Sequence, residues 1–337
     1  MGISKGMPIS PFKGKSVLVT GGTGSFGQKF VERILASGEP KKLIVFSRDE
    51  FKQHEMKQRF GDDPRLRFFL GDVRDLPRLE RAFSGVDVVV HAAALKQVPA
   101  LEYNPMEAIK TNVLGTQNVI DAALNNGVKK VVFVSTDKAV NPINLYGATK
   151  LCAEKLFIAA NAYRSGKQAA VFSAVRYGNV IGSRGSLVEL LQKQQLTGEV
   201  TLTDERMTRF WITLDEGVEL VNTALSLMKG GEIFVPKLSA MKVTDLIKAM
   251  APECRVRVIG VRPGEKIHEM LLTEEETARA KDIGKYYVIQ PYFTAPHNNW
   301  WNGNHLVGAK QLKKNFRYSS DAVPHLTSIK LKRMIEA

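Results

Sequence analysis

Five polar side chains stand close together between Val131 and Lys150: Thr136, Asp137 and Lys138 at the end of an apolar run, then Tyr146 and Lys150 after a turn. The run Val131-Val132-Phe133-Val134-Ser135 reads as a buried parallel strand. The triplet therefore falls just beyond its carboxyl end, where ligands bind in open α/β sheets. Tyr146 and Lys150 are spaced to share one face of the helix that begins there. A cation beneath a phenol favours the phenolate, so this pair is equipped to act as acid or base on a hydroxyl group. Tyr-x-x-x-Lys is common, and its meaning depends on the surrounding elements.

Those elements read as strands alternating with helices. Ser16-Val17-Leu18-Val19-Thr20 is a strand, followed at once by Gly21-Gly22-Thr23-Gly24-Ser25-Phe26-Gly27 and by a helix with Phe30, Val31, Ile34 and Leu35 on its apolar side. Glycines at 21, 24 and 27 let backbone approach a pyrophosphate, and the helix start offers free N–H groups to it. Thr23, Ser25 and Phe26 lie in the same loop. The second strand, Leu43–Phe46, ends in Ser47-Arg48-Asp49. A guanidinium at Arg48 suits a 2′-phosphate and points to NADP, although Asp49 leaves NAD open. A third strand, Leu66–Leu70, leads to Asp72 and Val73, with Asp72 placed to accept from an adenine amino group or to cap the next turn. The fourth, Val86–Val90, opens into Ala92, Ala93 and Lys96: small residues that admit the dinucleotide and a lysine able to reach a phosphate. One continuous helix is expected over 106–125, and a sixth strand over 170–175.

The reading is therefore α/β: a doubly wound parallel sheet of the Rossmann type with a smaller C-terminal α/β substrate domain. The expected division is a flexible arm over 1–13, a dinucleotide-binding domain over 14–182 and 210–236, and a substrate domain over 183–209 and 237–337. Residues 203–211 mix bases with apolar side chains, as expected of a lid. The Trp300-Trp301 region yields no assignment.

Composition narrows the classes. The chain has 337 residues, 44% hydrophobic, with a formal net charge of +14. That charge calls for acidic partners, and a nucleotide cofactor and nucleotide-linked substrate meet part of it. The bases are spread along the chain without a nucleic-acid-binding signature, so no nucleic acid is expected. No apolar run has the length of a membrane span or a signal peptide core, and Cys152 and Cys254 form no disulfide framework, so a cytoplasmic protein is expected. The six histidines show no ligand spacing, and no metal is expected.

Together, Thr20–Gly27, Thr136-Asp137-Lys138 and Tyr146-x-x-x-Lys150 resemble the extended short-chain dehydrogenase/reductase family. Ala94–Pro99, Ser135–Pro142, Arg176–Val180 and Arg262–Lys266 are further similar to the inverting UDP-N-acetylglucosamine 4,6-dehydratases of bacterial, pseudaminic acid-type glycan synthesis. The resemblance implies NADP as cofactor, UDP-N-acetylglucosamine as substrate and a redox-neutral cycle. Tyr146, assisted by Lys150, takes the C4 hydroxyl proton, Lys138 takes the C5 proton, and Asp137 protonates the departing C6 hydroxyl. Lys96, Asn179, Arg184, Thr203, Met207, Arg262 and Glu265 are expected at the substrate, with Arg262 on its diphosphate. A homo-oligomer is expected.

Burial that lowers a lysine pKa and raises an aspartate pKa would make Lys138 a base and Asp137 an acid near neutrality, with Lys150 also pushing Lys138 down. A plain Asp137–Lys138 salt bridge is the competing reading. A UDP-sugar 4-epimerase or a C5-retaining dehydratase fits the same scaffold, as does a cofactor-loaded binding protein without catalysis.

Overall fold

In the computed structural model, which describes residues 10–163, 170–292 and 305–336, the apolar runs become strands of one large sheet. Its first part is built in chain order from β1 (Ser16–Thr20), α1 (Ser25–Ala36), β2 (Lys42–Ser47), α2 (Glu50–Phe60), β3 (Leu66–Leu70), α3 (Leu76–Phe83) and β4 (Val88–His91). It continues through α4 (Val98–Tyr103), α5 (Pro105–Ala108), α6 (Gly115–Asn125), β5 (Lys130–Val134), α7 (Leu145–Ala159) and β6 (Val171–Val175). All these strands pair in parallel, with β4 returning to the free edge of β1. That return is the reversal of strand order at which open sheets form a binding crevice. Alternate side chains feed two cores: Leu18, Val89 and Phe133 on one face, Val17, Val90 and Val132 on the other. Burial on both faces explains why the strands are apolar runs rather than alternating ones.

The expected helix over 106–125 is not continuous. α5 and α6 are joined by a π-helical turn over Ile109–Leu114. The wider turn sends the Asn112 side chain inward, where it accepts from Leu95 N and donates to Leu95 O and Thr149 Oγ1. One asparagine thus ties the loop after β4 to α7. Periodicity alone cannot show a single wide turn.

The chain then forms β7 (Asn179–Val180), α8 (Leu187–Gln195), β8 (Glu199–Leu202), β9 (Thr208–Ile212), α9 (Leu214–Leu227) and β10 (Ile233–Pro236). Next come β11 (Ala240–Lys242), α10 (Val243–Met250), β12 (Arg255–Val258), β13 (Met270–Leu272) and α11 (Glu274–Thr277). Last are β14 (Ala280–Asp282), β15 (Tyr286–Ile289), β16 (Lys310–Gln311), β17 (Tyr318–Ser319) and α12 (Ser328–Glu336). β7, β9 and β11 form a small sheet, β8 pairs with β12, and α8, α10 and α12 enclose a separate apolar cluster around Leu191, Leu246 and Leu331.

Three expectations are corrected. β10 rejoins the large sheet beside β6, but β15, β14 and β16 extend it further, antiparallel, so part of 237–337 belongs with the large sheet. Conversely, residues 210–212 and 179–180 lie in the small sheet. Residues 208–211 are no lid, because they lie in β9, whose five residues are all buried. Finally, the arm is not loose as far as residue 13: Phe12 is buried edge-on against Phe30, with ring centres 5.7 Å apart. Residues 1–9 and the Trp300-Trp301 region lie outside the described residues. No described helix is long and apolar enough to cross a membrane.

Candidate active site

A cleft of about 1490 Å³ runs across the carboxyl ends of β1, β2, β4 and β5. At one end, Gly21 has φ of +66° and lies so close to the loop after β4 that a Cβ there would stand 2.8 Å from Ala93 Cα. A Cβ on Gly27 would stand 2.5 Å from Gly22 Cα. These two glycines close the strand–turn–helix unit, and the start of α1 carries no side-chain cap, which leaves its N–H groups for an anion. Thr23, Gly24, Ser25, Phe26, Ser47, Arg48, Val73, Ala92 and Ala93 line the same end. Thr111 Oγ1 and Ser135 Oγ lie buried on the cleft wall with no hydrogen-bond partner among the described residues. The cradle and these unsatisfied hydroxyls fit a dinucleotide.

Arg48 is half exposed at the rim, with Lys52 and Arg59 on the same wall. Asp49 is taken up as the N-cap of α2, accepting from Lys52 N. Asp72 differs from expectation: its carboxylate does not line the cleft but holds Arg74 at 2.7 Å and Arg48 at 3.4 Å.

At the other end stand Thr136, Lys138, Tyr146, Lys150, Asn179 and Arg184. Asn144 caps α7 by accepting from Gly147 N and donates to Gly264 O, and Lys266 Nζ donates to Val140 O. The turn between β5 and α7 is thereby bolted to the segment that precedes β13. Lys96 also lines the cleft, and its Nζ donates to Arg184 O at 3.0 Å.

Asp137 is fully buried behind Lys138; its Oδ1 accepts from Thr136 Oγ1 and Lys138 Nζ, both at 3.0 Å, while Oδ2 has no hydrogen-bond partner among the described residues. Burial raises its pKa, against the pull of Lys138 and with a push from Glu269. Lys138 corrects an expectation. Burial does depress its ammonium, but Asp137 and Glu269 outweigh that and hold its pKa above the ordinary lysine range. Its Nζ lies 3.0 Å from Asp137, 3.3 Å from Asn179 Oδ1 and 3.4 Å from Glu269 Oε1.

Tyr146 and Lys150 are on one face of α7, yet the lysine does not lower the phenol. Burial pushes Tyr146 up to about 12, offset in part by Lys138. Thr136 lies within hydrogen-bonding reach of it. Lys150 donates to Val134 O at 2.7 Å, lies 3.9 Å above the Phe133 ring, and is pulled down to about 7 by burial, with Glu154 opposing. Beneath it His91 bridges Thr20 and Thr116 and is pushed down to about 3 by burial, which makes it a neutral strut.

Four expected substrate residues do not line this cleft. Thr203 donates to Glu265 and to Met207 Sδ, Glu265 pairs with Arg209 at 3.6 Å, and Arg262 is exposed on the turn before them. Two residues the sequence reading missed are Glu269 and Arg209, both buried. Glu269 ends the Arg262–Glu269 stretch, whose dense charges were the available signal.

The model of the polysaccharide biosynthesis protein family matches residues 17–291. This chain belongs to that family. It is 49% identical, over 95% of its length and 96% of the relative's, to a protein of Campylobacter jejuni named UDP-N-acetylglucosamine 4,6-dehydratase (inverting). It is also 46% identical, over 82% of its length and 83% of the relative's, to a UDP-glucose 4-epimerase of Rickettsia rickettsii. Among solved structures, Pen from Bacillus thuringiensis superposes with a TM-score of 0.87 at 38% identity, covering 96% of this chain and 98% of that one. DesIV, a dTDP-glucose 4,6-dehydratase from Streptomyces venezuelae solved with NAD and TYD bound, superposes at 0.66 with 25% identity, covering 75% and 86%.

Proposed function

We propose that this protein is a nucleotide-sugar 4,6-dehydratase, a lyase that acts on UDP-N-acetylglucosamine and inverts C5, with NADP as its tightly held cofactor. The observation that carries the reading is the Lys138 ammonium at the cleft wall, 3.0 Å from a buried carboxylate and on the same wall as Tyr146. A 4-epimerase needs no acid–base pair beyond the C4 hydroxyl, whereas elimination across C5 and C6 needs both members.

Gly21, Gly24 and Gly27 with the start of α1 would hold the pyrophosphate, and Arg48, backed by Lys52 and Arg59, the 2′-phosphate. NADP held there would supply reversible hydride transfer, out at C4 and back at C6. Tyr146, in reach of Thr136 and ionised with the help of the Lys138 charge, takes the C4 hydroxyl proton as a phenolate. Moving one proton from Lys138 Nζ to Asp137 Oδ1 converts the ion pair to a neutral amine beside a neutral acid. The amine then removes the C5 proton, made acidic by the C4 ketone, while Asp137 gives its proton to the departing C6 hydroxyl, which leaves as water. C5 is reprotonated from the opposite face by solvent water, while Lys138 releases the proton it took. A cytoplasmic setting belongs to the same proposal and is supported by two free cysteines.

The test is incubation with UDP-N-acetylglucosamine in deuterated water, read by mass spectrometry and NMR. The expected product has lost one water, carries deuterium at C5 and is inverted there. The Rickettsia rickettsii relative gives the epimerase reading its weight. A product of unchanged mass with C4 inverted would establish it, and retention at C5 would reject the role given to Lys138.

A further inference from the structure

Glu269 is 3% exposed and absent from the cleft wall, yet it lies at the centre of the cations behind that wall. Its carboxylate stands 3.4 Å from Lys138 Nζ, 3.8 Å from Lys266 Nζ and 3.9 Å from Arg209 Nε. The backbone that presents it is fixed, since Glu269 N donates to Ser320 Oγ and Ser320 N donates to Glu269 O. Burying a carboxylate costs several kcal/mol unless charges and hydrogen bonds compensate it, so a glutamate here must be held by what surrounds it. Lys138 Nζ donates to Asp137 Oδ1 and to Asn179 Oδ1 and forms an ion pair with Glu269 Oε1. Asp137 precedes Lys138 in the same turn, and Asn179 offers an uncharged amide. Glu269 is therefore the contact that ties the ammonium to a second, independently fixed element.

We propose that Glu269 is a positioning residue for the elimination step: it holds the amino group of Lys138 between Asp137 and the cleft and stabilises the proton that this pair shares. The proposal rests on the reading that Lys138 acts at C5. The groups around the pair are Asp137 and Lys138 themselves, Tyr146 on α7, Arg209 on β9, Lys266 and Glu269 before β13, and Lys96 after β4. Of these, Glu269 is the carboxylate that favours the proton on both members. The pair titrates as a unit, so removing that charge moves both limbs of its pH profile toward acid.

The experiment compares Glu269→Gln with wild type on UDP-N-acetylglucosamine. Gln keeps the size and an acceptor oxygen but loses the charge. Dehydration kcat is expected to fall roughly tenfold with KM within about twofold, since a contact made only through Lys138 serves the transition state. The bell-shaped pH profile is expected to move down by about one unit, as loss of one neighbouring charge does. Formation of reduced cofactor, the C4 step, should persist. Glu269→Asp should restore the position of the bell, because the charge remains. If Glu269→Gln does not accumulate folded, Glu269→Asp decides the matter: the shortened contact should lower kcat, and wild-type kcat there overturns the proposal. A bell that stays in place while kcat and the C4 step fall together also overturns it, since that describes a structural role alone. The underlying reading is tested separately by Lys138→Ala. Should that variant dehydrate at the wild-type rate, the assignment of Lys138 fails and this proposal with it, whereas an inactive Lys138→Ala beside an unaltered Glu269→Gln sinks the proposal alone.

Discussion

Inside the core, Nη2 of Arg176 donates to Oε1 of Glu154 at 2.5 Å, which joins the segment following β6 to the helix that carries Tyr146 and Lys150. Nη1 of the same guanidinium donates to Leu271 O at 3.0 Å and to Glu276 at 2.9 Å, so α7, β13 and α11 meet on one side chain. Arg176 is 1% exposed, and its charge is balanced by two carboxylates rather than by water.

Arg176→Met should therefore destabilise the fold by about 3 to 5 kcal/mol, because it leaves Glu154 buried and uncompensated. Adding Glu154→Gln should recover part of that loss, since an unpaired charge costs more than a missing pair. Chemical denaturation of the single and double variants measures this. A double variant no more stable than the single one would show that Glu154 is not what suffers.

The part of this architecture that is legible in the sequence is the part made by neighbours along the chain. β1, β2, β4 and β5 are apolar runs because both of their faces are covered, and the glycines after β1 sit in the loop they shape. Tyr146 and Lys150 could be placed on one helix face from spacing alone. Their electrostatics could not, because the acceptor for Lys150 is Val134 O on β5 and the ring beneath it is Phe133. Lys138 was misjudged for the same reason. Its protonation is held by Asp137 beside it and by Glu269, which arrives from a distant segment on the way into β13. β14 and β16 are short and partly polar, so nothing local marks them as additions to the large sheet rather than parts of a separate domain.

Arg48 should decide between NADP and NAD. Its guanidinium stands at the rim 3.4 Å from Asp72, in a weak exposed pair that a phosphate can displace, and Asp49 is engaged as a helix cap. NADP should bind the wild type at least about tenfold more tightly than NAD, the scale of one charge-assisted bidentate contact. Arg48→Ala should erase most of that preference while NAD affinity holds. Titration of both cofactors against both proteins checks it. Equal wild-type affinities would reject the role of Arg48.

Lys150 should be a stability liability that the site retains for its chemistry. Burial lowers its pKa from 10.5 to about 7, so the folded protein gives up that proton at a pH where the unfolded chain still holds it. Between these two values the unfolded state binds more protons, and stability must rise with pH across the window. Below about 7 both states are protonated and the cost of the buried ammonium is fully present. Lys150→Met keeps the length of the side chain and its contact with the Phe133 ring but carries no charge. Its Tm should exceed that of the wild type most clearly near pH 6, by roughly 2 °C for each kcal/mol of relief, and the advantage should shrink toward pH 10. The same variant should slow C4 oxidation through loss of an amino group that lines the cleft with Tyr146, not through the phenol itself, whose rise to about 12 by burial is offset in part by Lys138. Melting curves across this pH range, with cofactor reduction measured in parallel, read both effects. A Tm difference that stays constant with pH would mean that Lys150 is already neutral, or already paired, throughout.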